Sequence, residues 1–397
     1  MINLEKEVPA GLPLFRLGFR PFFLGAAFFA VVLVFVWMLV YFHGVKLGFS
    51  GMSPTTWHAH EMIFGYAMAV IAGFLLTAIK NWTGRQTLRG PGLVGLFLLW
   101  MLARLVPLAG LNVPLAVWAM IDLLFMLLLV IATTMPVLKA RQYSQLGIIS
   151  KLVLLMLSNA LFYLGAAGVI EQGERWGLYS GVYMVIALML VMARRVIPFF
   201  IEKGIEGRVE IKNRLWVDVS SLVLLIGLWI ADVFTSQEMI VSVIAAMLTF
   251  LHMVRMAGWY TILIWHKPLL WVLYLAYGFI VAGFALTAAE TWFALAPGLA
   301  VHAYAYGGIG VMTLGMMSRV ILGHTGRNVF EPPKSFSWCF ALLITGALVR
   351  VVFPLFNMGM YGYWIGLSQS LWIAAFVVFI VVTAPMLLKT RVDGRDG

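Results

Sequence analysis

Histidine is the residue type with the clearest capacity for chemistry in this 397-residue chain, and the seven histidines fall into groups. His58 and His60 stand in Trp57-His-Ala-His-Glu61, and His302 stands a few residues into an apolar run much further along. His252 is followed by Arg255 and Met256, and His324 lies in a Gly-His-Thr-Gly-Arg stretch. Two imidazoles on facing helices at one depth can supply both axial ligands of a haem iron. His60 and His302 are the pair expected to do so; the competing reading is a hydrogen-bonded pair of interfacial histidines. His58 lies about 200° from His60 around a helix, so the two address opposite sides of it. Glu61 follows three residues after His58 and is expected on its face. A second metal on His58 and a proton-handling His58/Glu61 pair are both open. His252, His266 and His324 are candidates for a further metal or haem site at the other end of the helices, with His266, like His43, read as interfacial.

Other groups are conspicuous because they interrupt apolar sequence, where an ionisable side chain is costly. Arg104, Asp122 and Arg350 are of this kind. Arg104 and Asp122 can form a buried ion pair; alternatively Arg104 and Arg350 can neutralise haem propionates, since guanidinium binds carboxylate bidentately. Glu61, Arg104, Asp122 and Lys80 are candidate groups for moving protons. Cys339 is the single cysteine. It excludes an internal disulfide, a cysteine-based zinc or iron–sulfur cage and thioether-attached haem. Met192, Met316 and Met317 gather near helix ends; thioethers favour copper(I), although methionine in apolar sequence is ordinarily packing.

The elements that must hold these residues follow from composition. Apolar residues make up 63% of the chain, charged residues 11%, and the mean hydropathy is +0.99. A soluble globular domain and a disordered chain are both excluded. A spanning helix needs roughly 20 apolar residues. The runs define an all-α membrane protein with twelve transmembrane helices near 22–43, 57–79, 92–110, 113–138, 148–170, 176–198, 215–234, 237–260, 268–289, 295–320, 336–354 and 363–388. They form one polytopic domain over residues 1–397, with Glu202–Arg214 joining two halves. The first run is too long for a signal-peptide core. Continuous rather than alternating runs exclude a barrel. Of the 27 Lys and Arg, all but Lys46, Arg104, Arg175 and Arg350 fall on the side of the N-terminus, the even-numbered connections and the C-terminus. That side is expected to be the cytoplasm of a bacterial inner membrane, with both termini there. The net charge of +11 forms no basic stripe, so nucleic-acid binding is not expected.

An internal repeat links the helices that carry histidine. A shift of 242 residues lays His60 on His302, Gly65 on Gly307, Gly73 on Gly315 and Ile79 on Ile321, and lays Thr83-Gly84-Arg85 on Thr325-Gly326-Arg327. A fainter match lays Met192 and Arg195-Val196-Ile197 on Met316 and Arg319-Val320-Ile321. Helices 2, 6 and 10 are thus equivalent, which suggests three four-helix units. Heme–copper oxidases arrange twelve helices in three such arcs, a fold-level analogy only.

The chain resembles the NnrS family over nearly its whole length. The motifs are Phe19-Arg-Pro-Phe-Phe23, Trp57-His-Ala-His-Glu-Met62 with Phe64-Gly-Tyr66, Gly73-Phe-Leu-Leu-Thr77 and Asn81-Trp-Thr-Gly-Arg85. Arg194-Arg-Val-Ile-Pro-Phe199, Pro268-Leu-Leu-Trp271 and Leu322-Gly-His-Thr-Gly-Arg327 complete them. The resemblance implies a twelve-helix protein containing haem b and copper, linked to denitrification and protection from nitric oxide. It implies His58, His60, His252, His302 and His324 as the metal-site histidines. Family members often carry histidine where this chain has Tyr274, which puts the site near His252 in doubt. The expected activity is an oxidoreductase that removes nitric oxide, reducing it to nitrous oxide with electrons from a quinol or a redox protein. The alternatives are a carrier for haem, copper or an iron–nitrosyl species, and a haem relay or sensor without turnover.

Overall fold

The computed structural model describes residues 11–45, 52–108, 113–205, 211–235, 237–296 and 298–394. Twelve helices are long and apolar enough to cross a membrane: α1 (Phe19–His43), α2 (Pro54–Thr83), α3 (Pro91–Leu108), α4 (Leu115–Lys139), α5 (Tyr143–Ala166) and α6 (Gly173–Gly204), then α7 (Leu215–Phe234), α8 (Glu238–Trp259), α9 (Pro268–Glu290), α10 (Leu299–His324), α11 (Lys334–Phe356) and α12 (Met358–Leu388). Each expected span has its counterpart, and no strand occurs among the described residues. The chain is a multi-pass membrane protein. Its two ends are called here the basic end, where α2, α6 and α10 finish, and the far end, where they begin.

Burial separates the helices into two classes. In α2 and α10 the most apolar stretch is 89% and 78% buried, whereas in α4 it is 28% buried. The even hydrophobicity of α4 faces lipid, which is no less apolar than a protein core. Helices adjacent in sequence pack side by side, and α12 returns against α1, while α2, α6 and α10 touch one another inside. Arg20 fastens the closure of α1 on α12. It is fully buried and donates to the carbonyls of Leu387 at 2.7 Å and Lys389 at 2.8 Å, satisfying acceptors that a helix C-terminus leaves open.

The repeat is structural as well as sequential. Helix α2 is π-helical over Glu61–Ala67 and α10 over Ala303–Gly310, so in both the widened turn follows directly on the matched histidine. The Thr83 hydroxyl donates to the Ile79 carbonyl and the Thr325 hydroxyl to Ile321, each at 2.7 Å. Gly84 and Gly326 then adopt left-handed φ values of +66° and +78°, a conformation glycine reaches without a Cβ clash. Helix α6 lacks a π segment but keeps the inner register. Arg195 lies over the Trp82 ring of α2 at 4.6 Å, and its equivalent Arg319 lies over the Phe200 ring of α6 at 3.6 Å. The same cation–aromatic contact thus joins α6 to α2 and α10 to α6.

Candidate metal centre and buried proton network

Helix α2 begins with a capping serine: Ser53 accepts from the Thr56 amide at 3.0 Å, and Pro54 occupies the first turn. The following turn presents His58 and His60 on different sides, and the π segment starting at Glu61 then changes the direction of everything after it.

His60 is not turned toward His302, which corrects the expected pairing. Its ring is fully buried, stacks on Phe162 at 4.5 Å and meets Trp118 and Tyr163 edge-on. Both nitrogens are taken by α2 and α5 groups: Nε2 lies 2.9 Å from Asn159 Oδ1, and Nδ1 lies 3.1 Å from Glu61 Oε1. Glu61 therefore sides with His60, not with His58: its carboxylate bonds His60 and Arg104, while His58 stacks on Trp37.

Around this pair stands a closed polar network drawn from α2, α3, α4 and α5. Arg104 donates to both Glu61 oxygens at 2.9 Å and also to Asp122. Asp122 further accepts from Asn159 Nδ2 at 2.8 Å and from the Tyr163 hydroxyl at 3.1 Å. The Arg104–Asp122 ion pair forms, and with Glu61 added both terminal nitrogens of Arg104 are engaged, while its Nε is buried without a partner.

The donors can be assigned by elimination. Asn159 must present its NH₂ to Asp122, so its oxygen faces His60 Nε2, which must carry a proton. His60 Nδ1 and Glu61 Oε1 then face each other with one proton between them, since two bare lone pairs would repel. That proton also balances charge. Two carboxylates and one guanidinium carry a net charge of −1, and a region this dry favours neutrality.

The far-end site is built from other residues. His58 stacks on Trp37 of α1 at 4.6 Å and 10°, and its Nδ1 is buried without a hydrogen-bond partner. His58, His302 and Arg350 are within electrostatic reach of one another. The His302 Nδ1–H donates to the Gly298 carbonyl at 2.7 Å, which leaves Nε2 as the lone pair, with Arg350 at 3.3 Å. This is the orientation a carbonyl imposes on a metal-binding imidazole. Arg350 is completed by the Tyr361 hydroxyl at 3.1 Å and has no carboxylate partner among the described residues. Gly298 also lines a cavity of about 900 Å³ at the far end, which Asp232, Glu290, Tyr183 and Tyr304 make polar.

The remaining histidines are apart. His252 accepts at Nδ1 from the Tyr277 hydroxyl at 2.6 Å and stacks on Phe284, and its Nε2 is buried without a partner. Arg255 holds Tyr277 at 3.0 Å and Asp218 at 2.9 Å. Tyr274 turns away and donates to the Met256 carbonyl. His324 touches Asn81 at 3.4 Å at the basic end. His43 and His266 are exposed. Sequence reasoning missed Asn159, Tyr163 and Trp37; polar residues within the apolar α5 run were the available signal for the first two.

The residues present at the far end are of the kinds that would hold a haem: a buried imidazole nitrogen without a partner, a second imidazole whose Nε2 accepts only from Arg350, and that guanidinium with no carboxylate partner among the described residues. They form no ready copper cage. Among the described residues no three His, Cys, Asp or Glu side chains converge on one point. No curated protein matches the sequence. Residues 13–391 match the family model described as NnrS protein, and with nearly its whole length covered the chain belongs to the NnrS family, membrane proteins of the nitric oxide response.

Proposed function

We propose that the protein removes nitric oxide at a haem b held between His58 and His302 at the far end of α2 and α10. What supports this is the buried His58 Nδ1 without a hydrogen-bond partner, with His58 and His302 both within electrostatic reach of Arg350 at the far end. Arg350 sits where it would bind a propionate. A bound haem would supply a redox iron able to coordinate nitric oxide.

The protein's own residues supply binding, orientation and protons. The Gly298 carbonyl fixes the His302 tautomer, and Trp37 holds the plane of the His58 ring. Nitric oxide is small and apolar and partitions into the bilayer, so no large polar channel is required for it. Reduction of two nitric oxide molecules to nitrous oxide and water consumes two electrons and two protons. Glu61 and His60, on the same turn of α2 as His58, are hydrogen-bonded to each other within the Arg104–Asp122 network and are the ionisable groups nearest in sequence to His58. The polar cavity reaching Gly298 offers a water route to this end of the bundle. The charge bias supports a basic end in the cytoplasm of a bacterial inner membrane, in which case a haem held by His58 and His302 would lie near the outer surface.

The test is spectroscopic. Purified protein is reduced and its visible spectrum recorded with and without nitric oxide. A Soret band that shifts on adding the gas supports the reading, and its absence from the as-isolated, haem-supplemented protein defeats it. A six-coordinate haem indifferent to nitric oxide would favour an electron relay.

A further inference from the structure

A cavity of about 450 Å³ lies at the basic end, where α2, α6 and α10 meet. Its wall follows the repeat. Phe74, Met192 and Met316 occupy one equivalent position in the three helices and close the cavity toward the membrane centre. One turn on, the equivalent trio is small or branched: Ala78, Val196 and Val320. Another turn on it is ring-bearing again: Trp82, Phe200 and His324. The three short side chains line the cavity between the two layers of larger ones.

The chemistry of this space is specific. Its volume suits a small organic ligand, and its faces are aromatic. Arg195, part of the wall, donates to Gln145 at 2.9 Å and stacks on Trp82, and Arg319 stacks on Phe200, so both cations brace rings there. The polar groups offered to a ligand are Asn81 and His324, side by side and joined only by a 3.4 Å contact, too long to satisfy either. Phe199, 53% exposed, forms part of the wall, so the cavity opens to the surroundings at this level. A flat, uncharged ring with hydrogen-bonding oxygens and an apolar tail matches every one of these features.

We infer that the cavity between α2, α6 and α10 binds the headgroup of a membrane isoprenoid quinone or quinol. Asn81 and His324 hydrogen-bond its ring oxygens, Trp82 and Phe200 pack its faces, and the tail leaves past Phe199 into lipid. This inference concerns binding alone. It does not depend on the haem site, which lies at the opposite end of the bundle.

The experiment uses full-length protein in detergent or lipid nanodiscs and a short-chain ubiquinone analogue as probe. Wild type is expected to retain about one equivalent of the analogue after gel filtration. Ala78→Phe, which fills the cavity, abolishes retention, and Asn81→Leu weakens it at least tenfold. Val381→Ala, at an exposed position of α12, leaves it unchanged. If Ala78→Phe fails to fold, a photoreactive azido-quinone on wild type decides: label on residues 74–82, 192–200 or 316–324 supports the site. Label elsewhere, no retention above detergent partition, or retention unaffected by both cavity substitutions overturns it. Recovery of bound phospholipid that the analogue does not displace, or a haem lost specifically in Ala78→Phe, overturns it too.

Discussion

Replacing Arg104 by leucine should be among the most destabilising changes in the far half of the bundle. The guanidinium is 2% exposed and donates three charge-assisted hydrogen bonds, two to Glu61 at 2.9 Å and one to Asp122. Each such bond is worth about 1.5–3 kcal/mol. Their loss strands two carboxylates in a dry interior, and breaking one member of a buried ionic cluster costs about 3–5 kcal/mol. The sign of the effect can be isolated with a second substitution. Glu61→Gln in the Arg104→Leu background removes one of the stranded charges, and Asn159 and Tyr163 still solvate Asp122. The double variant should therefore recover about half the loss, a non-additivity that a packing defect would not produce. Cys339 provides the assay. As the single, fully buried thiol it reacts with a thiol-specific fluorophore only when the bundle opens, so melting can be followed without introducing another cysteine. An Arg104→Leu protein as stable as wild type, or single and double variants that melt together, would refute the assignment of a charge-balanced network.

Gly65→Ala should disturb the same network sterically, because a Cβ there would lie 2.8 Å from Glu61 Oε2 and 3.0 Å from an Arg104 nitrogen; a cost of about 1–3 kcal/mol is expected in the same melting assay. Tyr66→Phe removes the 2.7 Å bond that ties the π segment of α2 to Thr313 of α10, and about 1 kcal/mol should be lost with no change in haem content by pyridine haemochrome. Arg20→Ala uncaps α12, and limited proteolysis should then cut the segment after Leu388 faster than in wild type.

The spans were legible because length and hydrophobicity alone select a membrane helix, and the charge bias then fixed their alternation. The repeat was legible because it survives as identities at glycines: a Cβ at Gly73 would meet Phe23 at 2.9 Å, and one at Gly315 would meet Val272 at 2.9 Å. What the sequence hid is the π turn. Periodicity arguments assume a regular helix, and both Glu61–Ala67 and Ala303–Gly310 depart from it directly after the histidines. Which partners each side chain takes was hidden as well: Glu61 and His60 join Arg104 and Asn159, while His58 stacks on Trp37. The inner cavity was equally hidden. Ala78, Val196 and Val320 are ordinary apolar residues until the helices bring them to one level.

The division of labour between the two adjacent imidazoles is the central claim, and haem retention measures it. His58→Ala, His60→Ala and His302→Ala are purified in parallel, and the Soret absorbance per protein is compared with wild type. The account predicts that His58→Ala and His302→Ala lose most of the band while His60→Ala keeps it and loses thermal stability. A band that vanishes with His60 and persists without His58 would contradict it.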